Sequence, residues 1–282
     1  MRVFLATCRR LPEPDPDQDL LLAALQERGL VARMAAWDDS AVSWAEADLV
    51  VLRSTWDYYS SPVEFLAWAE WASGVSRLLN PVEVVRWNHH KRYLLELERG
   101  GVRVVPTALL PRGARTSLLE IMGVRRWSDV VVKPAISASS FRTARFDRQS
   151  VALGNEHLAS IVAVGDALVQ EYLPSVERYG ERALVWIDGE FTHAVRKHPR
   201  LMGGVEAVSQ AQPIAPDERA LGEMALAGWK PGELLYARVD MARDQEGRPR
   251  VMELELIEPS LFLLQDPAAL TRMAEAISGR LR

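Results

Sequence analysis

Leu49-Val-Val-Leu52 is an unbroken apolar run, and it constrains the fold more than any other stretch of the chain. A strand with one wet face alternates apolar and polar side chains. One that is apolar at every position needs cover on both faces, as in a parallel sheet with helices packed on each side. The flanking sequence fits that arrangement. Arg2–Thr7 is a short apolar strand and Val31–Ala36 a second. Between them Asp17–Arg28 carries Leu20, Leu21, Ala24 and Leu25 at helical spacing, closed by Gly29. Pro62–Ser73 reads as the next helix. Asn88 reads as the N-cap of a helix that runs to Gly100-Gly101. Lys91 then falls in a first turn, where the helix macrodipole disfavours a cation unless an anion lies nearby. The Leu49 run ends in Arg53-Ser-Thr-Trp-Asp-Tyr58. Ligands of open α/β sheets bind beyond the carboxyl ends of the strands, so this polar-aromatic cluster is a candidate substrate wall, with Arg53, Ser54, Thr55 and Asp57 as its substrate residues. Arg53 and Asp57 carry charge at the end of a buried strand and need partners.

Further on, Arg103–Val105 starts another strand and Gly113–Trp127 is a helix-bearing connection. From Asp129 the pattern becomes antiparallel. Val130-Val-Val-Lys133-Pro134 is a strand ending in a lysine, and the polar loop 135–140 leads to a strand at Phe141–Phe146. Asn155–Val164 is helical, and Ala167–Gln170 is a strand running into Glu171-Tyr-Leu-Pro174. Arg182–Ile187 and Glu190–Lys197 flank Asp188-Gly189, a favoured two-residue hairpin turn. Pro216–Ala227 and Pro267–Leu281 read as helices.

Composition removes several function classes. A net charge of −4 argues against a nucleic-acid footprint, which needs a basic face. A single cysteine, Cys8, excludes an intramolecular disulfide or a cysteine-rich zinc site and fits a reducing cytoplasm. No signal peptide opens the chain and no run is long enough to cross a bilayer. His89 and His90 have no spaced partner for zinc and read as surface or helix-end residues. Cys8 has no histidine nearby and reads as a packed or pocket-lining thiol. Six of the nine tryptophans precede residue 88 and are expected in the core or in pocket walls.

Chemistry concentrates at the tail. Tyr236–Asp240 and Val251–Glu255 flank Asp244-Gln-Glu-Gly247 and read as a hairpin. Alternation puts Glu253 and Glu255 on one face, which Asp240 and Arg238 share if the strands pair. Converging carboxylates repel unless a cation lies between them, and hard oxygen ligands suit Mg²⁺ held together with substrate phosphates. Metal plus guanidinium is a means of neutralising a transferring phosphoryl group. A solvated acidic ribbon is the bland alternative.

No Walker A sequence or dinucleotide glycine fingerprint is present. The order Lys91, Lys133, a small-residue loop, Gln170-Glu171-Tyr172-Leu173, Gly180-Glu181-Arg182, Arg196-Lys197, Arg238/Asp240 and Glu253/Glu255 instead resembles the ATP-grasp superfamily, glutathione-synthetase-like branch. Leu52–Tyr58, Val85–Asn88 with Lys91, and Glu253–Phe262 are similar to its O-ureido-serine cyclo-ligases.

The resemblance implies a parallel α/β substrate domain over residues 1–105 and two α+β subdomains, 106–168 and 169–282, that clamp the nucleotide. It implies ATP and Mg²⁺. Lys91 and Lys133 would bind the phosphates, with Ser139 and Ser140 in the covering loop, which here lacks glycine. Gln170, Glu171, Tyr172 and Leu173 would meet adenine through the free backbone groups of a strand leaving its sheet, and Glu181 the ribose. Asp240, Glu253 and Glu255 would hold the metal, Glu255 standing where the family usually has asparagine. Arg182, Arg196, Lys197 and Arg238 would balance charge on the phosphoryl group and the substrate carboxylate, and Glu258 and Ser260 join the substrate candidates. The implied activity is ATP-dependent carboxylate–amine ligation through an acyl phosphate, on a small amino-acid-like carboxylate. Intramolecular ring closure is the first reading. Intermolecular ligation and a non-catalytic nucleotide-binding module remain open, as does a homo-oligomer.

Overall fold

A computed structural model describes residues 1–198 and 207–281. The first unit contains β1 (Arg2–Thr7), α1 (Gln18–Glu27), β2 (Val31–Ala36), β3 (Leu49–Ser54), α2 (Pro62–Val75), β4 (Arg77–Leu79), α3 (Val82–Asn88) and α4 (Tyr93–Arg99). Its sheet runs β2-β1-β3-β4, all parallel. The unbroken apolar run is explained by its surroundings. Leu49 and Val51 enter one core with Leu21 and Leu25 of α1, while Val50 and Leu52 enter another with Phe65 and Trp68 of α2. β4 escaped sequence reading because its two buried leucines are too few to show a period.

The second unit contains β5 (Thr107–Leu110), α5 (Leu118–Arg125), β6 (Asp129–Pro134), β7 (Ala144–Asp147), α6 (Val151–Val162) and β8 (Ala167–Glu171). Its antiparallel sheet runs β5-β8-β6-β7, with α5 and α6 packed on one face. A boundary at residue 168 would cut β8. The strand expected from Phe141 starts only at Ala144, because Ser139, Ser140 and Arg142 adopt positive φ (47°, 57° and 51°) and break the extended path. Val104 makes only an isolated bridge to Val251, and the strand expected from Arg103 begins at Thr107.

The third unit contains α7 (Ser175–Arg178), β9 (Glu181–Ile187), β10 (Glu190–Lys197), α8 (Pro216–Leu226), β11 (Tyr236–Arg243), β12 (Pro249–Glu255) and α9 (Pro267–Gly279). Its antiparallel sheet runs β10-β9-β11-β12. Asp188 and Gly189 both take positive φ (45° and 94°), as a two-residue hairpin turn with the twist of its strands requires. The α9 helix packs against α1, joining the chain's two ends in one core.

Two asparagines join the first unit to the third. Asn80 donates to the carbonyls of Tyr236 (2.9 Å) and Leu256 (2.8 Å) and accepts from Leu235 N–H (2.7 Å). Asn88 donates to the Leu254 carbonyl and accepts from Leu256 N–H, both at 2.8 Å. This overturns the N-cap expectation. Asn88 ends α3 and pairs with β12, and Lys91 lies in the turn before α4, so the first-turn argument does not apply to it.

Candidate active site

The site is built from strand register. Asp240 pairs with Glu253, Arg238 with Glu255, Asp240 with Ala183, and Glu181 with Lys197. Antiparallel partners share a face and alternate residues return to it. One surface therefore carries Glu181, Lys197, Arg238, Asp240, Glu253 and Glu255, and all six line one cleft. A bulge after Asp240 leaves Met252 without a register partner, and it lines the cleft beside Glu253.

The charges interlock. Arg238 donates to Asp240 through Nε (2.8 Å) and NH2 (2.9 Å), and NH2 also meets Glu255. Lys197 bridges Asp240 (2.7 Å) and Glu181 (2.5 Å). Burial alone would raise the Asp240 carboxyl, but Arg238 and Lys197 outweigh it and hold it below the usual range. Burial pushes Glu181 up to about 7, with Lys197 opposing and Asp240 adding repulsion. Burial likewise pushes Glu255 up to about 7 against the pull of Arg238, with Asp240 and Glu253 adding repulsion.

The second sheet supplies the opposing charge. Lys133, at the end of β6, lies 3.4 Å from Glu253, and Lys91 reaches the same carboxylate at 2.8 Å. Lys91 also donates to the Ser137 carbonyl at 2.6 Å. The two lysines overcome the effect of burial and hold Glu253 at about 2. Ser139 and Ser140 line the same cleft in left-handed conformations that glycine normally supplies. The missing glycine was therefore no bar to the loop's path.

Beyond them lies a mostly apolar slot lined by Val105, Val131, Tyr172, Leu173, Val176 and Met252. The Arg145 guanidinium stacks 3.7 Å over the Tyr172 ring. Gln170 and Glu171 also border the cleft, Gln170 with its amide on Thr107. The expectation of free backbone groups needs correction. Glu171 N–H bonds to the Pro106 carbonyl and Tyr172 N–H to that of Asp129, both at 3.0 Å. Only at Leu173 does the N–H lack a protein partner among the described residues.

Several expected residues do not join the site. Arg182 and Arg196 pair on the opposite face of the β9–β10 hairpin. Arg182 is buried against Glu218, Gln212 and the Pro213 carbonyl, and Arg196 stacks over Tyr179. Their neighbours Glu181 and Lys197 face the cleft because strand residues alternate. Gly180 allows the crossing: a Cβ there would lie 2.5 Å from Arg196 Cγ. The 53–58 segment divides likewise. Arg53 is held by Asp15, Asp17 and the Pro259 carbonyl, Ser54 by Thr7, and Asp57 by the Trp37 indole, while Thr55 is buried outside the cleft. Trp56 and Tyr58, the aromatic members of that segment, line the cleft, as do Glu258 and Ser260. Asn88, Tyr93 and Glu13 were missed by sequence reading. No short-range signal marks them, since each arrives through tertiary packing.

Free space in the cleft amounts to about 1560 Å³, its open mouth included. Among the described residues no three acidic or histidine side chains are grouped to hold a metal ion by themselves. Asp240, Glu253 and Glu255 nevertheless offer hard oxygens on one face. That donor set fits Mg²⁺, which takes one or two carboxylates and completes its shell with water and phosphate oxygens.

A cleft between two antiparallel sheets, in which Lys91 and Lys133 face carboxylates balanced by Arg238 and Lys197, defines the class: an ATP-grasp ligase. Comparison with known proteins agrees. Residues 3–80 match the family described as the N-terminal domain of D-cycloserine synthetase DcsG. The chain is 35% identical over 283 residues to the cycloserine biosynthesis protein DcsG of Streptomyces lavendulae, covering 95% of each. It superposes on the crystal structure of D-cycloserine synthetase DcsG with a TM-score of 0.93, at 34% identity and with both chains fully covered. A RimK-domain ATP-grasp protein from Sphaerobacter thermophilus superposes at TM-score 0.72 and 18% identity, covering 99% of this chain and 100% of that one, and speaks for the fold alone. The chain belongs to the D-cycloserine synthetase family. It is a ligase that forms C–N bonds.

Proposed function

We propose that the chain is an intramolecular carboxylate–amine ligase that closes an O-ureido-serine-like amino acid into cycloserine, in antibiotic biosynthesis. The observation that carries this reading is the convergence of Arg238, Lys197, Lys91 and Lys133 on the Asp240/Glu253/Glu255 face, in a cleft also walled by Trp56 and Tyr58. The whole-length likeness to DcsG supports the substrate class.

In this reading the substrate carboxylate oxygen attacks the γ-phosphorus of ATP, ADP departs, and an acyl phosphate forms. The oxygen-bound ureido nitrogen then attacks the carbonyl carbon, inorganic phosphate leaves, and a five-membered ring closes. Cycloserine has no carbamoyl group, so that group departs as ammonia and carbon dioxide with uptake of one water. Asp240, Glu253 and Glu255 would hold Mg²⁺, which supplies charge neutralisation at phosphoryl oxygens when bound. Lys91 and Lys133, which contact Glu253, would bind the phosphates, covered by the Ser139–Ser140 loop. The Leu173 N–H and the slot it borders would take adenine, and Glu181 the ribose hydroxyls. Arg238 and Lys197 would orient the substrate carboxylate and offset charge on the transferring group. Positioning and charge neutralisation are then the protein's main tasks.

The three sheets support a division into three units, with the second boundary moved from residue 168 to beyond the end of β8 at Glu171. Cytoplasmic placement is part of the same reading. It is supported by the buried free thiol of Cys8, while no described helix is long and apolar enough to cross a membrane. Self-association would use the side of α2 that exposes Val63, Trp71 and Val75.

The test is ADP release with O-ureido-D-serine and its L enantiomer, alone and with added amines. One amino acid by itself should support turnover and yield cycloserine. ADP release that requires a separate amine would make the chain an intermolecular ligase instead.

A further inference from the structure

We propose that Glu258 recognises the ammonium group of the amino-acid substrate and so fixes which way the substrate lies in the cleft. The inference rests on the reading of an amino-acid carboxylate substrate and adds the residue that selects its amine. Its basis is a contrast among the carboxylates near the lysines and Arg238. Glu181, Asp240, Glu253 and Glu255 each contact a lysine or arginine. Glu258 is only 8% exposed and lines the same cleft, yet its carboxylate has no hydrogen bond or ion pair among the described residues. Burial, then the Glu255 charge, raises the Glu258 carboxyl well above the usual carboxylate range against the pull of Lys91, and a ligand cation seated on it would supply the missing partner and favour the ionised form.

The backbone that carries it is also held in place. It is pinned from several directions, which distinguishes Glu258 from a loop residue that happens to point inward. Tyr236 donates to the Ile257 carbonyl (2.7 Å), Trp56 to that of Glu258 (2.9 Å), Arg53 to that of Pro259 (3.0 Å) and Arg238 to that of Ser260 (3.3 Å). These donors come from both the first and third units, so the carboxylate is presented from a rigid seat. Trp56 and Tyr58, 6% and 3% exposed, wall the same end of the cleft and shelter a polar contact there from water.

Charge then orients the substrate. Glu253 and Glu255 are already met by Lys91, Lys133 and Arg238 whereas Glu258 is not, so an ammonium is drawn to Glu258 and a carboxylate to Arg238. A zwitterionic amino acid accordingly lies with its ammonium on Glu258 and its carboxylate toward Arg238, where it would be phosphorylated. The ammonium takes no part in ring closure. A contact to it is equally strong in the ground and transition states, so it acts on KM and leaves kcat nearly unchanged. A proton acceptor for the attacking nitrogen would do the reverse.

The experiment uses the full chain loaded with Mg²⁺ and a non-hydrolysable ATP analogue. Calorimetry measures binding of O-ureido-serine, of serine and of the des-amino analogue 3-(ureidooxy)propanoate to wild type and E258Q. Wild type is expected to bind the amine-bearing ligand roughly 10- to 100-fold more tightly than the des-amino analogue, the range of one charge-assisted hydrogen bond. E258Q should abolish that preference while binding the ATP analogue and Mg²⁺ as wild type does, and in turnover it should raise KM with kcat retained. E258D, with a shorter carboxylate, should keep part of the preference. The proposal is overturned if wild type shows no preference for the amine, or binds none of the amine-bearing ligands. It also falls if E258Q weakens the des-amino analogue equally, loses Mg²⁺ affinity, or lowers kcat with KM unchanged. If the amine preference depends on Glu258 but no cycloserine forms, the ring-closure reading fails and the ammonium assignment stands.

Discussion

Arg238→Ala is the perturbation with the widest reach. The guanidinium donates to Asp240 at 2.8 and 2.9 Å, contacts Glu255, and reaches the Ser260 carbonyl at 3.3 Å. Deleting it leaves Asp240, 2% exposed, with Lys197 as its remaining ion-pair partner among the described residues, and takes from Glu255 a cation it contacts. Removing one member of a buried ion pair costs about 3–5 kcal/mol. An unfolding entropy of about 2.1 cal/mol/K per residue over 282 residues amounts to about 0.6 kcal/mol per degree, so Tm should fall by about 5–8 °C. Loss of the same charge at the transferring phosphoryl group should lower kcat by roughly 10²–10³. Thermal melts in EDTA and in excess Mg²⁺, with coupled ADP release, measure both effects. Mg²⁺ should raise the Tm of the variant more than that of wild type, because it enters a face that has lost a cation. Arg238→Lys, which keeps the charge without the fork, should fall between the two. A Tm within about 1 °C of wild type together with turnover within about threefold would refute the reasoning.

Glu253→Gln removes the carboxylate that holds both Lys91 and Lys133 and should raise the Mg²⁺ concentration needed for half-maximal ADP release by about tenfold or more; an unchanged Mg²⁺ titration removes Glu253 from the ligand set. Arg182→Met breaks a buried pair with Glu218 outside the cleft and should destabilise by about 3–5 kcal/mol in urea while KM for ATP stays within about twofold. A large KM shift would return Arg182 to the site. Burial, then the Asp57 and Asp38 charges, push the Cys8 thiol up to about 11, and a raised thiol pKa keeps the unreactive protonated form. Iodoacetamide labelling of the native protein should therefore climb about tenfold per pH unit from 7 to 10, and a plateau by pH 9 would contradict that environment.

Sequence alone determined whatever depends on neighbours along the chain. The unbroken Leu49–Leu52 run dictated a strand covered on both faces, Asp188-Gly189 a tight hairpin, and the alternation 253/255 a shared carboxylate face. The order of lysines and carboxylates was likewise sufficient to indicate the ATP-grasp class. Tertiary structure decided which member of each adjacent pair faces the cleft. Arg182 and Arg196 carried the same charge promise as Lys197 and Arg238, but the pleat turned them onto Glu218 and Tyr179. Arg53 and Asp57 found partners in Asp15, Asp17 and Trp37, leaving the wall to Trp56 and Tyr58. Asn88 looked like a cap and became a clamp on β12, because its amide meets two backbone groups from residues far along the chain. Local pattern fixes the period of a segment. Its phase against the rest of the molecule follows from long-range packing and backbone pairing, and in this chain that phase separates the residues that face the nucleotide cleft from those that hold the scaffold around it.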